Sequence, residues 1–198
     1  MKTQKTIVYL HGLNSSHRSF NYIIKELPTH TAIRVDYDSH QPLEASILQV
    51  IKQLPQDGEI SLVGHSLGGV IAALIAGDNC TVKINELVTI SAPHGGSKAA
   101  NVIQWFPGAP AVTSDITPNS PLIRLLKIKK LDVKTLNIFS TGGHLNTTGE
   151  PNDSVVTVSS QKSLSFGRHA EVKATHFEVL MHERTVELIK KHLFRSIK

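Results

Sequence analysis

Residues Glu59 to Ala76 read Glu-Ile-Ser-Leu-Val-Gly-His-Ser-Leu-Gly-Gly-Val-Ile-Ala-Ala-Leu-Ile-Ala. A short β-branched run is followed by a glycine-flanked serine and then by an Ala/Leu/Ile-rich segment of helical character, the pattern of a strand, a sharp turn and a helix with Ser66 at the apex. Glycines two residues to either side of the serine have a mechanical reason, because a Cβ at those positions would collide with the neighbouring strand or helix. Such a turn lifts the Ser66 hydroxyl clear of the sheet edge. It also places the amide of Leu67 at a helix N-terminus, where free N–H groups stabilise a developing oxyanion.

The rest of the chain alternates strands with helices, which indicates a mostly parallel sheet covered by helices on both faces. Ile7-Val8-Tyr9-Leu10 is the first strand pattern, and it stops at the polar loop His11-Gly12-Leu13-Asn14-Ser15-Ser16. The glycine there lets backbone approach a ligand, so the amide of Leu13 is the natural second oxyanion donor and His11 a candidate substrate contact. A helix over Phe20 to Leu27, a strand over Ala32 to Tyr37 and a helix over Leu43 to Leu54 lead to the strand before Ser66. Ile84 to Ser91 is the next strand, and it runs into Ala92-Pro93-His94-Gly95-Gly96-Ser97. His94 thus falls at a strand's carboxyl end, where it serves either loop structure or substrate binding.

Roughly 36 residues, Ser97 to Asp132, precede the strand at Lys134 to Ser140, more than a simple crossover needs. This insertion carries Val102-Ile103-Gln104-Trp105-Phe106-Pro107 and Pro121-Leu122-Ile123-Arg124-Leu125-Leu126. It reads either as a lid whose Trp105 and Phe106 wall an apolar substrate site, or as ordinary helices completing the core. The loop through Gly149 to Asp153, a last strand over His169 to Thr175 ending at His176, and an amphipathic closing helix over Phe177 to Phe194 complete the chain. No repeat, low-complexity tract or linker interrupts the order, so residues 1–198 are expected to form one domain.

Lys plus Arg number 21 against 16 Asp plus Glu, a moderately basic balance read as a solvated surface. It leaves room for peripheral contact with lipid, but there is no dense Lys/Arg block with interleaved aromatics, so no nucleic-acid partner is expected. No apolar stretch approaches membrane-spanning length and no signal-peptide pattern is present, so the expected location is cytoplasmic. The single cysteine, Cys80, is expected to pack passively.

A serine hydroxyl needs a base near pKa 7, and that base needs a buried carboxylate to fix its tautomer. Asp153 and His176 each lie just beyond a predicted strand on the Ser66 edge, whereas Asp132 precedes its strand and Asp115 belongs to the insertion. The expected set is therefore Ser66 as nucleophile, Asp153 as acid and His176 as base. His65 is expected to point away from the reactive side of the turn, as a structural or orienting residue. No His-Glu-x-x-His or comparable spacing occurs, so no metal site is expected.

Taken together, His11-Gly12-Leu13, Gly64-His65-Ser66-Leu67-Gly68-Gly69, Ala92-Pro93-His94-Gly95-Gly96-Ser97, Asn152-Asp153-Ser154-Val155-Val156 and His176-Phe177-Glu178-Val179-Leu180 resemble a small bacterial lipase or esterase of the α/β-hydrolase superfamily. The resemblance spans nearly the whole chain and implies the serine, acid, histidine order just described. It also implies an acyl-enzyme, the Leu13 and Leu67 amides as oxyanion hole, and no cofactor. The first strand starts almost at Met1, so a minimal version of the fold with a sheet of about six strands is expected. The resemblance leaves open a lipase, esterase, thioesterase or phospholipase acting on a small-molecule or lipid ester, and an inactive module of the same fold that binds a hydrophobic ligand or partner.

Overall fold

The computed structural model describes residues 4–76, 82–100, 104–105, 107–128, 132–144 and 149–194. Cys80, Val102, Ile103 and Phe106 lie outside them. Six strands form one sheet: β1 (Thr6–Leu10), β2 (Thr31–Val35), β3 (Glu59–His65), β4 (Lys83–Ile90), β5 (Lys134–Ser140) and β6 (Arg168–Val172). They lie in the order β2-β1-β3-β4-β5-β6, and every neighbouring pair is parallel. The strand order reverses between β1 and β3, so the loops leaving these two strands diverge and open a crevice at their carboxyl ends.

Alternation along the strands explains why they read as unbroken apolar runs. Val8 and Leu10 of β1 and Leu62 of β3 enter one buried cluster, while Ile7 and Tyr9 of β1 and Val63 of β3 enter the other. The first cluster is closed by α2 (Leu43–Ile51), α3 (Leu67–Ala76), α4 (Val112–Asp115) and α5 (Pro121–Ile128). The second is closed by α1 (Asn21–Glu26) and α7 (Glu183–Leu193), and a short α6 (Val158–Gln161) lies beyond β5. Among the described residues, no helix is long and apolar enough to cross a membrane.

Element ends depart from the sequence reading where side chains compete with the regular backbone. The segment before α1 is a 3₁₀ turn over His17–Phe20, and α2 stops at Ile51 rather than Leu54. β2 ends at Val35 because Asp36 and Tyr37 turn away to hold other loops, and β6 ends at Val172 rather than Thr175. The closing helix is broken in two. A 3₁₀ turn over Glu178–Met181 gives way at His182, whose extended backbone and ring acceptor for the Arg184 amide start α7 afresh.

The described parts of the insertion are stitched to the body. Val112, Ile116, Ile123 and Leu126 are buried in the first cluster. The Asp115 carboxylate accepts from the Leu43 amide at 2.8 Å, capping the N-terminus of α2, and the Ala111 amide donates to the His40 carbonyl at 2.8 Å.

Candidate active site

Ser66 sits between β3 and α3 with φ 52°, a left-handed conformation that costs a non-glycine residue about 1–3 kcal/mol. Backbone contacts over-determine it: the Ser66 amide donates to the Ile90 carbonyl at 2.9 Å, and the Gly69 amide donates to the Ser66 carbonyl at 2.9 Å. The two flanking glycines are required by space. A Cβ on Gly64 would lie 2.3 Å from the Gly68 carbonyl oxygen, and one on Gly68 would lie 2.1 Å from the Leu10 carbonyl oxygen.

The loop after β1 passes over this turn so closely that a Cβ on Gly12 would meet Ser66 Cβ at 3.0 Å. The amide of Leu67 opens α3, and neither it nor the amide of Leu13 donates to a protein acceptor among the described residues. Both residues line the cavity onto which Ser66 faces. Two unpaired donors on either side of a serine are the arrangement that receives negative charge developing on a carbonyl oxygen.

Asp153 is fully buried, and five groups surround its carboxylate. Oδ1 accepts from the amides of Val155 at 3.0 Å and Val156 at 2.7 Å. Oδ2 accepts from Ser140 Oγ at 2.6 Å, Gln161 Nε2 at 3.2 Å and His176 Nδ1 at 2.8 Å. Burial works to raise its pKa, but the hydrogen bond and charge of His176, with the donors from Ser140 and Val156, outweigh that and hold the carboxyl below its ordinary range. A carboxylate so placed draws the proton onto Nδ1 of His176, which leaves Nε2 with its lone pair free as an acceptor.

His176 is pinned through its main chain as well. Its amide donates to the Asp153 carbonyl at 2.9 Å, and its carbonyl accepts from Nε2 of His65 at 2.8 Å. The expectation that His65 points away is corrected here: its ring packs 4.8 Å from the His176 ring, because its N–H finds the His176 carbonyl. Burial first, and the neighbouring His176 second, push the His65 pKa down to about 3, so it stays neutral.

Ser66 and His176 open onto one cavity of 260 Å³ whose walls include Leu13, Pro93, Ala100, Ile116, Val156 and Phe177. Ala100, Thr113 and Ile116 of the insertion supply part of that wall, but Trp105 does not. Trp105 is 83% exposed, which corrects its expected role, since a side chain so open to solvent closes no cavity. His11 and His94 are likewise not brought to the cavity. His11 is buried against Tyr37, ring centroids 4.4 Å apart, and His94 is fully buried behind β4. Its Nε2 donates to Thr89 Oγ1 at 3.1 Å, and burial, with His169 adding to it, pushes its pKa down to about 3. From Thr89 the hydrogen bonds run through Asn137 to Gln161 and so to Asp153.

Ser140, Gln161 and Tyr37 were not found from the sequence. Ser140 ends β5 on the right rim, which is a weak signal; Gln161 and Tyr37 stand in no motif. Among the described residues, no group of three or more His, Cys, Asp or Glu side chains is placed to hold a metal ion.

With this geometry in place, the comparisons with known proteins are informative. The mature form of the Bacillus licheniformis lipase BlEst2 superposes with a TM-score of 0.71 at 17% identity, covering 91% of this chain and 88% of the lipase. A hydrolase from Pseudomonas aeruginosa superposes with a TM-score of 0.72 at 14% identity, covering 98% and 91%. This chain has the α/β-hydrolase fold. A metagenomic carboxyl esterase adds a TM-score of 0.66 at 14% identity over 97% of this chain and 72% of its own. Residues 30–107 of this α/β-hydrolase-fold protein match the model of the PGAP1-like alpha/beta domain, from β2 through the Ser66 turn into the insertion. No curated protein matches the sequence.

Proposed function

We propose that the protein is a serine hydrolase that cleaves carboxylic esters through an acyl-enzyme on Ser66. The observation that carries the reading is the buried 2.8 Å bond between Asp153 and Nδ1 of His176, on a histidine that shares its cavity with the strained Ser66. Ser66 Oγ attacks the ester carbonyl while its proton passes to Nε2 of His176, and the carbonyl oxygen takes up negative charge between the Leu13 and Leu67 amides. Collapse expels the alcohol, which takes the proton from His176 and leaves acyl-Ser66. Water then attacks with the same base, and the acid departs.

Among the described residues, no Lys, Arg, Asp or Glu lines the cavity, and its 260 Å³ lies below the roughly 300–1,000 Å³ of drug-sized sites. The substrate is accordingly a small-molecule ester with a neutral acyl group of short to medium length. The lipase and esterase among the structural relatives support ester cleavage. The test is a p-nitrophenyl ester series from acetate to palmitate, with fluorophosphonate labelling alongside. Turnover peaking at the short to medium esters, with label and turnover both lost in Ser66→Ala, is the expected result. A folded wild-type chain that takes no label is instead an inactive module of this fold.

A further inference from the structure

The oxyanion loop is held by residues for which the proposed mechanism has no task. On one side of Leu13, the His11 carbonyl accepts from the Tyr37 hydroxyl at 2.5 Å, and the His11 ring stacks on the Tyr37 ring at 13° between planes. On the other side, the Asn14 amide donates to Ser39 Oγ at 3.3 Å, and the Asn14 side-chain oxygen pairs with Nε2 of His40. His40 is itself fixed by its amide, which donates to the Asp38 carboxylate at 2.9 Å. Asn14 is left-handed, with φ 55°, a conformation that these contacts maintain. Thus the peptide groups flanking Leu13 are bound while the Leu13 amide is left free among the described residues.

We propose that Tyr37, with Ser39 and His40 of the segment between β2 and α2, positions the Leu13 amide as an oxyanion donor. This inference rests on the ester-hydrolase reading above. Packing alone does not account for Tyr37, since a phenylalanine would fill the same buried site and stack on His11 equally well. The hydroxyl is there to hold a carbonyl of the loop, and burial keeps it protonated and donating by pushing its pKa up. The clasp matters because an oxyanion hole stabilises only what it is already aimed at when the charge forms. Tyr37, Ser39 and His40 are therefore positioning residues that touch no substrate.

Tyr37→Phe is the test, with Ser39→Ala and His40→Ala as companions that alter only the other end of the clasp. Each is measured for kcat and KM on the preferred p-nitrophenyl ester. Each is also measured for affinity toward an alkyl trifluoromethyl ketone, whose hemiketal oxygen occupies the oxyanion position. Removing an oxyanion donor outright costs ~10²–10³ in kcat, so displacing one is expected to cost about tenfold. KM should stay within about twofold, and the ketone should weaken by the same factor as kcat/KM. A lowered melting temperature with kcat and ketone affinity unchanged overturns the proposal, as does a rise in KM alone. If Tyr37→Phe does not fold, the two companions decide on the same criteria. A wild-type chain without turnover or Ser66 labelling refutes the ester-hydrolase reading itself, which is distinguishable from an active wild type whose clasp variants are unaffected.

Discussion

His65 shows how a single imidazole serves a site without taking part in its chemistry. Its N–H holds the main chain of His176, and its depressed pKa keeps it uncharged through the proton transfer to His176 that the proposed mechanism requires. Replacing it with phenylalanine preserves the ring but leaves the buried His176 carbonyl unpaired, a cost of about 1–3 kcal/mol. In steady-state kinetics, His65→Phe is expected to lose about tenfold in kcat with KM little changed, and His65→Gln, whose side-chain N–H reaches a similar point, to recover part of the loss. Equal kcat in all three chains would reduce His65 to a packing residue. The sequence supplied His65 as a residue of the turn, but its partner 111 positions away was invisible there, because the bond forms only once β3 and the loop after β6 lie side by side.

Between elements, close approach is controlled by glycines that admit no side chain. Gly64 and Gly68 let α3 settle against β3 and β1, and a Cβ on Gly68 would meet backbone carbonyl oxygens of both Leu10 and His11, which cannot swing aside. Gly68→Ala is therefore expected to destabilise the fold by more than about 3 kcal/mol or to prevent folding, as overpacking against backbone does. Gly108→Ala provides the contrast. That glycine has φ 79° with no described atom within 4 Å of an added Cβ, so the backbone conformation is what resists, at about 1–2 kcal/mol. Urea denaturation of the two variants checks the difference, and comparable losses would count against the crowding account. The insertion is also an affair between elements. Its length was legible, but Asp115 capping α2 and Ile116 reaching both core and cavity could not be read from a segment considered by itself.

For the whole molecule, the buried polar layer behind the site sets how the fold answers to acid. His65 and His94 are buried and neutral down to about pH 3, whereas in the unfolded chain imidazoles take up protons below about 6.5. The unfolded state then binds more protons, so stability is complete above that value and falls as pH drops toward 3, by about 1.4 kcal/mol per pH unit for each group. Asp153, held below its ordinary range, adds a further loss at the acid end. Urea midpoints measured from pH 7.5 to 4 should fall steeply below 6.5, and a flat profile across that interval would show that these imidazoles are solvated. The alternating fold, the Ser66 turn and the loops bearing Leu13, Asp153 and His176 were fixed by local pattern, because strand period, glycine spacing and strand ends are properties of neighbouring residues. What local pattern could not decide is which polar side chains stand behind those residues. Ser140 and Gln161 reach Asp153 from 13 and 8 positions away, and Tyr37 reaches His11 from 26 away, pairings chosen by strand order and burial. A buried polar group must find whatever partner the tertiary fold leaves within reach, and that choice is made only when the chain has closed.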